Sequence, residues 1–166
     1  HLDGEFALLN ALSASVQTEE TLLSPETALL MKKAAASSDF SELILTDRSG
    51  SGITAEGRSV SIGDSDYFLC ALNGEKGVRF LDPTSEKSGG GFVAVSVPVQ
   101  AEGNTIGVLT GWLDKSLLRE LLSRNVSEGG VTVLCDDTGR ILLDSAASGA
   151  MEGGNLFSIL QTAQGA

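Results

Sequence analysis

Residues 92–114 read FVAVSVPVQAEGNTIGVLTGWLD, and this stretch sets the architecture of the 166-residue chain. From Val93 to Val99 every second residue is a valine, and the residues between the valines are alanine, serine and proline. This period of two is typical of a strand whose two faces differ. A turn at Glu102-Gly103-Asn104 then leads into a second apolar run, which predicts an antiparallel hairpin.

Two other segments share one pattern: an apolar strand, an Asp-x-x-Gly turn and a returning strand. The first turn is Asp47-Arg48-Ser49-Gly50 and the second is Asp136-Asp137-Thr138-Gly139. Asp at the first corner and Gly at the fourth are preferred in a type I turn, so each segment predicts a hairpin. The repeat indicates that a second lobe begins near residue 128 and that this chain holds only its start.

Apolar residues at helical spacing occupy the first forty residues, from Phe6 onwards. Ser24-Pro25-Glu26 combines an N-cap residue, a proline suited to a first turn and an acidic residue, which together favour a helix start. This segment predicts either one long kinked helix or two helices, and two shorter helices are predicted at residues 66–72 and 115–124. The fold class is therefore α+β. The predicted division of the chain is a helical segment at 1–40, a lobe at 41–127, and a hairpin with a tail at 128–166.

The charge of the chain limits its partners. Acidic residues outnumber basic ones by 22 to 11, which gives a net charge of −11. Such a surface repels phosphate backbones and anionic lipid headgroups, so nucleic acid and docking onto a membrane surface are excluded. A net charge of this size is also explained by the need to keep a domain soluble, so it does not identify a ligand. The sequence has no apolar run of about 18 residues, the length that indicates a membrane-spanning helix.

The sequence does not favour catalysis. His1 is the only histidine, which excludes a Ser-His-Asp or Cys-His arrangement and a histidine-based metal site. Cys70 and Cys135 lack the CxxC spacing of zinc sites and predict buried thiols, with a disulfide as the alternative. Asp137-Thr138-Gly139 matches the triplet of aspartic peptidases, but that chemistry needs two carboxylates, and a turn explains the same residues. We therefore predict a protein that is not an enzyme and that uses no cofactor or metal.

The order of these segments resembles that of the Cache family, extracellular sensor domains with a PAS-like fold. The match covers residues 40–120 and rests on an ordered set of short motifs rather than on a single one. The motifs are Leu43 to Gly50, Asp64-Ser65-Asp66-Tyr67-Phe68, Asp82-Pro83, Ser96-Val97-Pro98-Val99, and Ile106-Gly107-Val108-Leu109 running on to Asp114. The preceding helical segment and the repeated hairpin also resemble double-Cache receptors.

This resemblance implies a PAS-like five-stranded antiparallel sheet with a long N-terminal helix, plus an extra C-terminal hairpin. It implies a pocket for a small-molecule ligand over the face of the sheet opposite the helix. It also implies a bacterial receptor with transmembrane helices on both sides of the sensor, which places the domain at the extracellular or periplasmic face of the membrane. A homodimer through the N-terminal helix is implied as well. So is a cytoplasmic diguanylate cyclase, histidine kinase or chemotaxis output.

We expect the pocket on the face of Ala94 and Ser96, because small side chains leave room there. The candidate ligand-binding residues are Tyr67, Phe68, Arg79, Asp82, Ser96 and Trp112. In this hypothesis Tyr67 caps the pocket, Arg79 pairs with an acidic ligand and Asp82 accepts hydrogen bonds. Core packing explains the aromatic residues as well, and a solvated surface charge explains Arg79.

The sequence does not determine the ligand class, because two positions differ from those of amino-acid-binding members. Cache members that bind amino acids carry an Arg and an Asp at the positions of Ser65 and Trp112, so the resemblance does not extend to those two charged anchors. The alternative function is a PAS-like protein-interaction or dimerisation module without a small-molecule ligand.

Overall fold

The structure is a computed structural model that describes residues 2–16, 18–75, 77–81, 92–124, 126, 130–135, 138–146, 151 and 153–164. The chain divides into two compact units, His1–Asp114 and Lys115–Ala166, which are described separately below. Within the described part of the chain, none of the helices is both long and apolar enough to cross a bilayer.

The N-terminal region of the first unit forms three helices, α1 (Leu2–Ser15), α2 (Glu19–Leu22) and α3 (Pro25–Ala36). The breaks follow from local capping. Thr18 makes a capping box with Thr21 at the start of α2, and the Ser24 side chain accepts a hydrogen bond from the Thr27 N–H at the start of α3. Pro25 has no N–H to continue a preceding helix, so a new helix begins there. The sequence analysis predicted one kinked helix or two helices in this region, whereas the structure has three.

The rest of the first unit is an antiparallel sheet with one short helix. The strands are β1 (Glu42–Asp47), β2 (Ser51–Thr54), β3 (Ser59–Ser61), β4 (Gly77–Leu81), β5 (Phe92–Ala101) and β6 (Asn104–Asp114), and helix α4 (Asp66–Leu72) precedes β4. Their order in the sheet is β3-β2-β1-β6-β5-β4. The predicted α+β class and the two hairpins of this unit are confirmed. The three-residue strand β3 adds a sixth strand to the five that the resemblance implies.

The valine face of β5 forms the centre of the core. All four valines from Val93 to Val99 are fully buried, and α1 packs on β5 and β6. Burial of each such side chain stabilises the fold by about 1.5–3 kcal/mol. Gly111, which pairs with Val95, leaves the space on this face that the Phe40 ring occupies. The N-terminal helices therefore cover the valine side of the sheet, and the Ala94 side faces away from them.

The second unit contains a short hairpin between two helices. Its elements are α5 (Lys115–Ser123), β7 (Val133–Cys135), β8 (Ile141–Asp144) and α6 (Leu156–Gln164). Strands β7 and β8 pair with each other in an antiparallel two-stranded sheet, which confirms the predicted C-terminal hairpin. Asp136 and Asp137 of its turn lie outside the described residues, so the peptidase alternative gains no support from their geometry.

The two cysteines lie in different units, Cys70 in α4 and Cys135 in β7. Neither cysteine forms a disulfide, and both are half-buried rather than buried as predicted.

Candidate functional site

The candidate site lies where α4 crosses the Ala94 face of the sheet. A single apolar cluster joins the helix to the strands. Its buried members are Tyr67, Phe68 and Ala71 of α4, with Ala94 of β5 and Val108 of β6, and Ile62, Leu72 and Trp112 pack against it at its border.

Helix α4 is short and has a simple amphipathic pattern. Ser65 precedes it as the N-cap residue, and the Ser65 carbonyl accepts hydrogen bonds from the N–H groups of Phe68 and Leu69. Asn73 follows the helix, and Gly74 has a positive φ of 88°, a conformation suited to glycine. Residues three and four apart lie on one side of a helix, so Ala71 lies beside both Phe68 and Tyr67 on the inner side. These three side chains are buried, while Leu69 is 44% exposed.

Strand pairing places the floor of the site in two rows. Cross-strand partners share a face of the sheet, so each row can be read from the register. The first row is Arg79, Ala94, Trp112 and Glu42, and the second row is Gly77, Ser96, Thr110 and Ile44. The floor therefore combines residues with little or no side chain at Gly77 and Ala94 with polar and aromatic residues around them.

Two buried hydroxyls form the polar centre of this floor. Ser96 Oγ and Thr110 Oγ1 are 2.9 Å apart, and neither side chain is exposed to solvent. Their mutual hydrogen bond uses one of the two hydroxyl protons, which leaves one proton to be donated elsewhere. Next to them, Thr46 Oγ1 donates to the Val108 carbonyl at 3.3 Å. The floor is thus polar at its centre although it is closed to water.

Asp114 belongs to the same face, and sequence reasoning did not name it as a site residue. It lies two residues after Trp112 in β6 and pairs with Phe92 of β5. Residues two apart in a strand share a face, so Asp114 and Thr110 flank Trp112 on the Ala94 side. The period of two along β6 is the signal that identifies both Thr110 and Asp114, but the sequence analysis named Asp114 only as the end of a motif.

At the β1 end of the first row, the Glu42 carboxylate forms an ion pair with Arg58. The Glu42 side chain is 16% exposed and that of Arg58 is 69% exposed, so a largely solvated cation neutralises a mostly covered anion. Charge at this end of the row is therefore balanced within the protein.

The structure brings four of the six predicted site residues together. Tyr67, Phe68 and Ser96 are buried, and Trp112 is half-buried at the edge of the cluster. Arg79 occupies the β4 position opposite Ala94, but its side chain is outside the described part of the structure. Asp82 lies outside the described residues altogether. The roles of all six in ligand binding remain predictions.

Solved structures with this fold are known. The ligand-binding domain of the Pseudomonas fluorescens chemoreceptor CtaA with L-valine has a TM-score of 0.74 and 18% identity, and the match covers 97% of this chain and 73% of that chain. The ligand-binding domain of the Pseudomonas aeruginosa amino acid chemoreceptor PctC with GABA has a TM-score of 0.66 and 22% identity, covering 95% and 73%. The sensory domain of the Campylobacter jejuni chemoreceptor Tlp3 has a TM-score of 0.72 and 16% identity, covering 96% and 70%.

The chain is shorter than these domains. It spans 63% of the Tlp3 ligand-binding domain solved with 4-methylisoleucine. No family model and no curated protein matches the sequence. Likeness at this level of identity concerns the backbone, and the expected PAS-like fold is confirmed at that level. The chain therefore has the PAS-like fold of the ligand-binding sensory domains of these bacterial chemoreceptors.

Proposed function

We propose that this protein is the extracytoplasmic sensing domain of a transmembrane signal-transduction receptor and that it binds a small molecule between α4 and the sheet. The observation that carries the proposal is the Ala94 face: a floor of small side chains with a buried hydroxyl pair, covered by the aromatic residues of a short helix. Small-molecule sites are typically lined by apolar side chains with a few convergent polar groups, and this face has that composition. The proposal assigns no catalytic residue, since the face offers hydroxyl, aromatic and carboxylate groups without a paired base.

The ligand class that fits this face is a small molecule with an amino and a carboxylate group. Asp114 supplies a carboxylate for the ammonium group and Arg79 supplies a guanidinium for the carboxylate. Trp112 shares β6 with Asp114 and a row of the sheet with Arg79. Two strand spacings across and two residues along give about 12 Å between the two backbone positions. That separation of the two backbone positions accommodates a small amino acid between the two residues. L-valine and GABA, which are bound in CtaA and PctC, are of this class.

Signal transfer through the sheet follows from the alternation along β5. Ala94 and Ser96 face the ligand side, while Val93 and Val95 face the N-terminal helices, so a shift of β5 moves both faces together. A ligand that binds one position of β5 better than another changes how the helices dock. In the receptor these helices lead to the membrane, and a homodimer through them carries the change to the output domain.

The second unit is proposed to be the first part of a further lobe. Its hairpin is two-stranded, and α6 exposes Phe157 at 55% and Leu160 at 50%. A two-stranded hairpin is marginally stable without further strands or helices, and exposed apolar side chains are typical of a face that another element covers. Additional chain of the receptor would supply that element.

The test is a thermal-shift and calorimetric titration of the protein with amino acids, GABA, organic acids, amines and sugars. A ligand at about 100 times its Kd stabilises the bound state by about 2.7 kcal/mol, a shift of several degrees in Tm. Trp112→Phe and Asp114→Asn should weaken binding at least tenfold. Asp66→Asn, the same chemical change at an exposed position of α4, is the matched control and should leave binding unchanged.

Two outcomes count against the proposal. A folded protein that gives no saturable response to any compound supports the interaction-module alternative instead. A saturable ligand that is bound equally by the wild type, Trp112→Phe and Asp114→Asn places the site elsewhere in the chain.

A further inference from the structure

The first unit contains a groove that is separate from the α4 site. This groove of about 410 Å³ lies between α2, the β1–β2 turn and the start of β6. Ile106 lines it, six residues before Trp112 in the same strand, so the two regions are about 20 Å apart along β6. Its volume is within the range of small-molecule pockets.

The floor of this groove is apolar and fixed. Leu22 is 3% exposed and Ile106 is 6% exposed, while Leu23 forms a wall and is 40% exposed. Gly107 allows Leu22 to lie close to the sheet. A Cβ at position 107 would lie only 3.1 and 3.2 Å from the two Leu22 methyl carbons. The floor of the groove is therefore formed by buried branched residues, and the groove above it is open to solvent.

The rim carries charge of both signs, with anions in excess. Asp47 Oδ1 accepts hydrogen bonds from the Ser49 N–H at 2.8 Å, the Ser49 hydroxyl at 2.6 Å and the Ser51 N–H at 3.2 Å. Burial acts to raise the pKa of Asp47, but these hydrogen bonds outweigh it and hold the pKa below its ordinary value. The group is therefore a fixed anion at neutral pH.

Glu20 and Arg48 complete the rim, and both are exposed. Among the ion pairs of the described residues, none involves either side chain. Two carboxylates against one guanidinium leave the rim with an excess negative charge, and the chain as a whole carries −11. The potential over the groove therefore attracts cations and repels anions.

We propose that this groove binds a small organic ammonium ion with a branched apolar body. The apolar body covers Leu22, Leu23 and Ile106, and the ammonium group lies at the rim between the carboxylates of Glu20 and Asp47. Arg48 opposes the cation and limits the affinity. Because the rim is open to solvent, its ion pairs contribute little each, and the expected Kd is on the order of 1 mM. The groove lies at a different position from the α4 site, and its excess of carboxylates favours an amine without the carboxylate group that the proposed α4 ligand carries.

The experiment is an NMR titration with three probes that share one body and differ in the head group: isopentylamine, isopentanol and isovalerate. Isopentylamine should cause saturable shifts of the methyl signals of Leu22, Leu23 and Ile106. Isopentanol should bind more weakly, and isovalerate more weakly still. Glu20→Gln should weaken isopentylamine binding about threefold and Arg48→Gln should strengthen it about threefold, because they remove charges of opposite sign. Glu26→Gln, an exposed acid on α3 outside the groove lining, should change nothing.

The proposal is overturned if isovalerate binds as well as isopentylamine, if the shifts do not saturate, or if they centre on the Trp112 indole signal. Trp112→Phe separates this site from the proposed sensing site. That substitution should leave the isopentylamine titration unchanged, whether or not the protein responds to amino acids at α4.

Discussion

The two Asp-x-x-Gly hairpins begin from the same local pattern and end in different surroundings. In each, the fourth turn residue has a positive φ, 83° at Gly50 and 80° at Gly139. Strand β1 then pairs on both sides, with β2 and β6, and four of its six residues are buried. Among the described strands, β7 pairs with β8 alone, and all three of its residues are half-buried.

The difference shows what a turn specifies and what it does not. The turn fixes the reversal of the chain, because only certain residues accept the backbone angles there. The depth of burial is set by the neighbours that long-range pairing supplies. β1 lies between β2 and the long strand β6, which also pairs with β5, and β7 has no such partner among the described strands. The first hairpin is therefore part of a core, and the second is stabilised by its own contacts and by α5 and α6.

Core truncation should give the largest contrast between the two hairpins. Leu45 in β1 is 1% exposed, whereas Leu134 in β7 is half-buried. Leu45→Ala should lower the free energy of unfolding by about 3 kcal/mol, and Leu134→Ala by about 1 kcal/mol. Trp112, the single tryptophan, reports the first unit in a urea titration, and hydrogen exchange of β7 and β8 reports the second. Equal losses would show that the second hairpin is buried as deeply as the first.

Turn glycines should give the next largest contrast. A Cβ at Gly50 would meet the Gly63 backbone, which cannot move aside, whereas at Gly139 it would meet the Phe157 ring at 2.5 Å. That ring is 55% exposed and free to shift. Both substitutions carry the strain of a positive φ, about 1–2 kcal/mol. Gly50→Ala should therefore destabilise by about 3 kcal/mol and Gly139→Ala by about 1–2 kcal/mol, measured by the same two readouts. Gly57→Ala, at a positive φ of 81° with open space around it, is the control for strain alone.

Replacing a buried carboxyl by the neutral amide should change the free energy of unfolding with opposite signs in the two units. In α1, Glu5 is 9% exposed and its Oε2 has no hydrogen-bond partner among the described residues. In β8, Asp144 is fully buried, and its two oxygens accept from the Ala146 N–H at 3.0 Å and the Met151 N–H at 2.7 Å. Glu5→Gln should stabilise the first unit at neutral pH by about 1 kcal/mol, and Asp144→Asn should destabilise the second by about 2 kcal/mol.

The Glu5 effect depends on pH in a defined direction. Burial raises the pKa of Glu5, the backbone N–H of Asp39 lowers it, and the Asp39 carboxylate raises it, with a net rise. A raised pKa means that the folded state holds the proton more tightly, so the stabilisation is complete below the unfolded pKa and is lost as pH rises through the folded pKa. The Tm of the wild type should fall relative to Glu5→Gln over that interval. A constant difference in Tm between pH 4 and pH 7.5 would contradict this assignment.

Surface ion pairs should give the smallest effects, and similar ones in both units. Arg58 pairs with Glu42 in the first unit, and Arg124 pairs with Glu120 at 2.6 Å in the second. Each arginine side chain is at least 65% exposed, so solvent screens the attraction. Arg58→Gln and Arg124→Gln should each change the unfolding free energy by less than about 0.5 kcal/mol in chemical denaturation. A loss above about 1 kcal/mol for Arg58→Gln alone would mark the Glu42 pair as part of the covered site.

Much of the first unit was predictable because its signals are local. The alternation from Val93 to Val99, the Asp47 turn and the Asp66–Leu72 helix each appear in a few consecutive residues, and all three are present. The candidate site was predicted in part. Tyr67, Phe68, Ser96 and Trp112 converge, whereas Thr110 and Asp114 were not named although the same period of two places them beside Trp112.

The sequence by itself determined the elements and their faces, because strand alternation, helix caps and turn residues act over a few neighbours. Tertiary structure decided what no local pattern contains. It placed Ser96 beside Thr110 and the Phe40 ring over Gly111. It also formed the groove between Leu22 and Ile106, and it paired β7 with one partner among the described strands. Each of these depends on the register between strands far apart in the chain, and register is set by the packing of the whole sheet rather than by the residues of one strand.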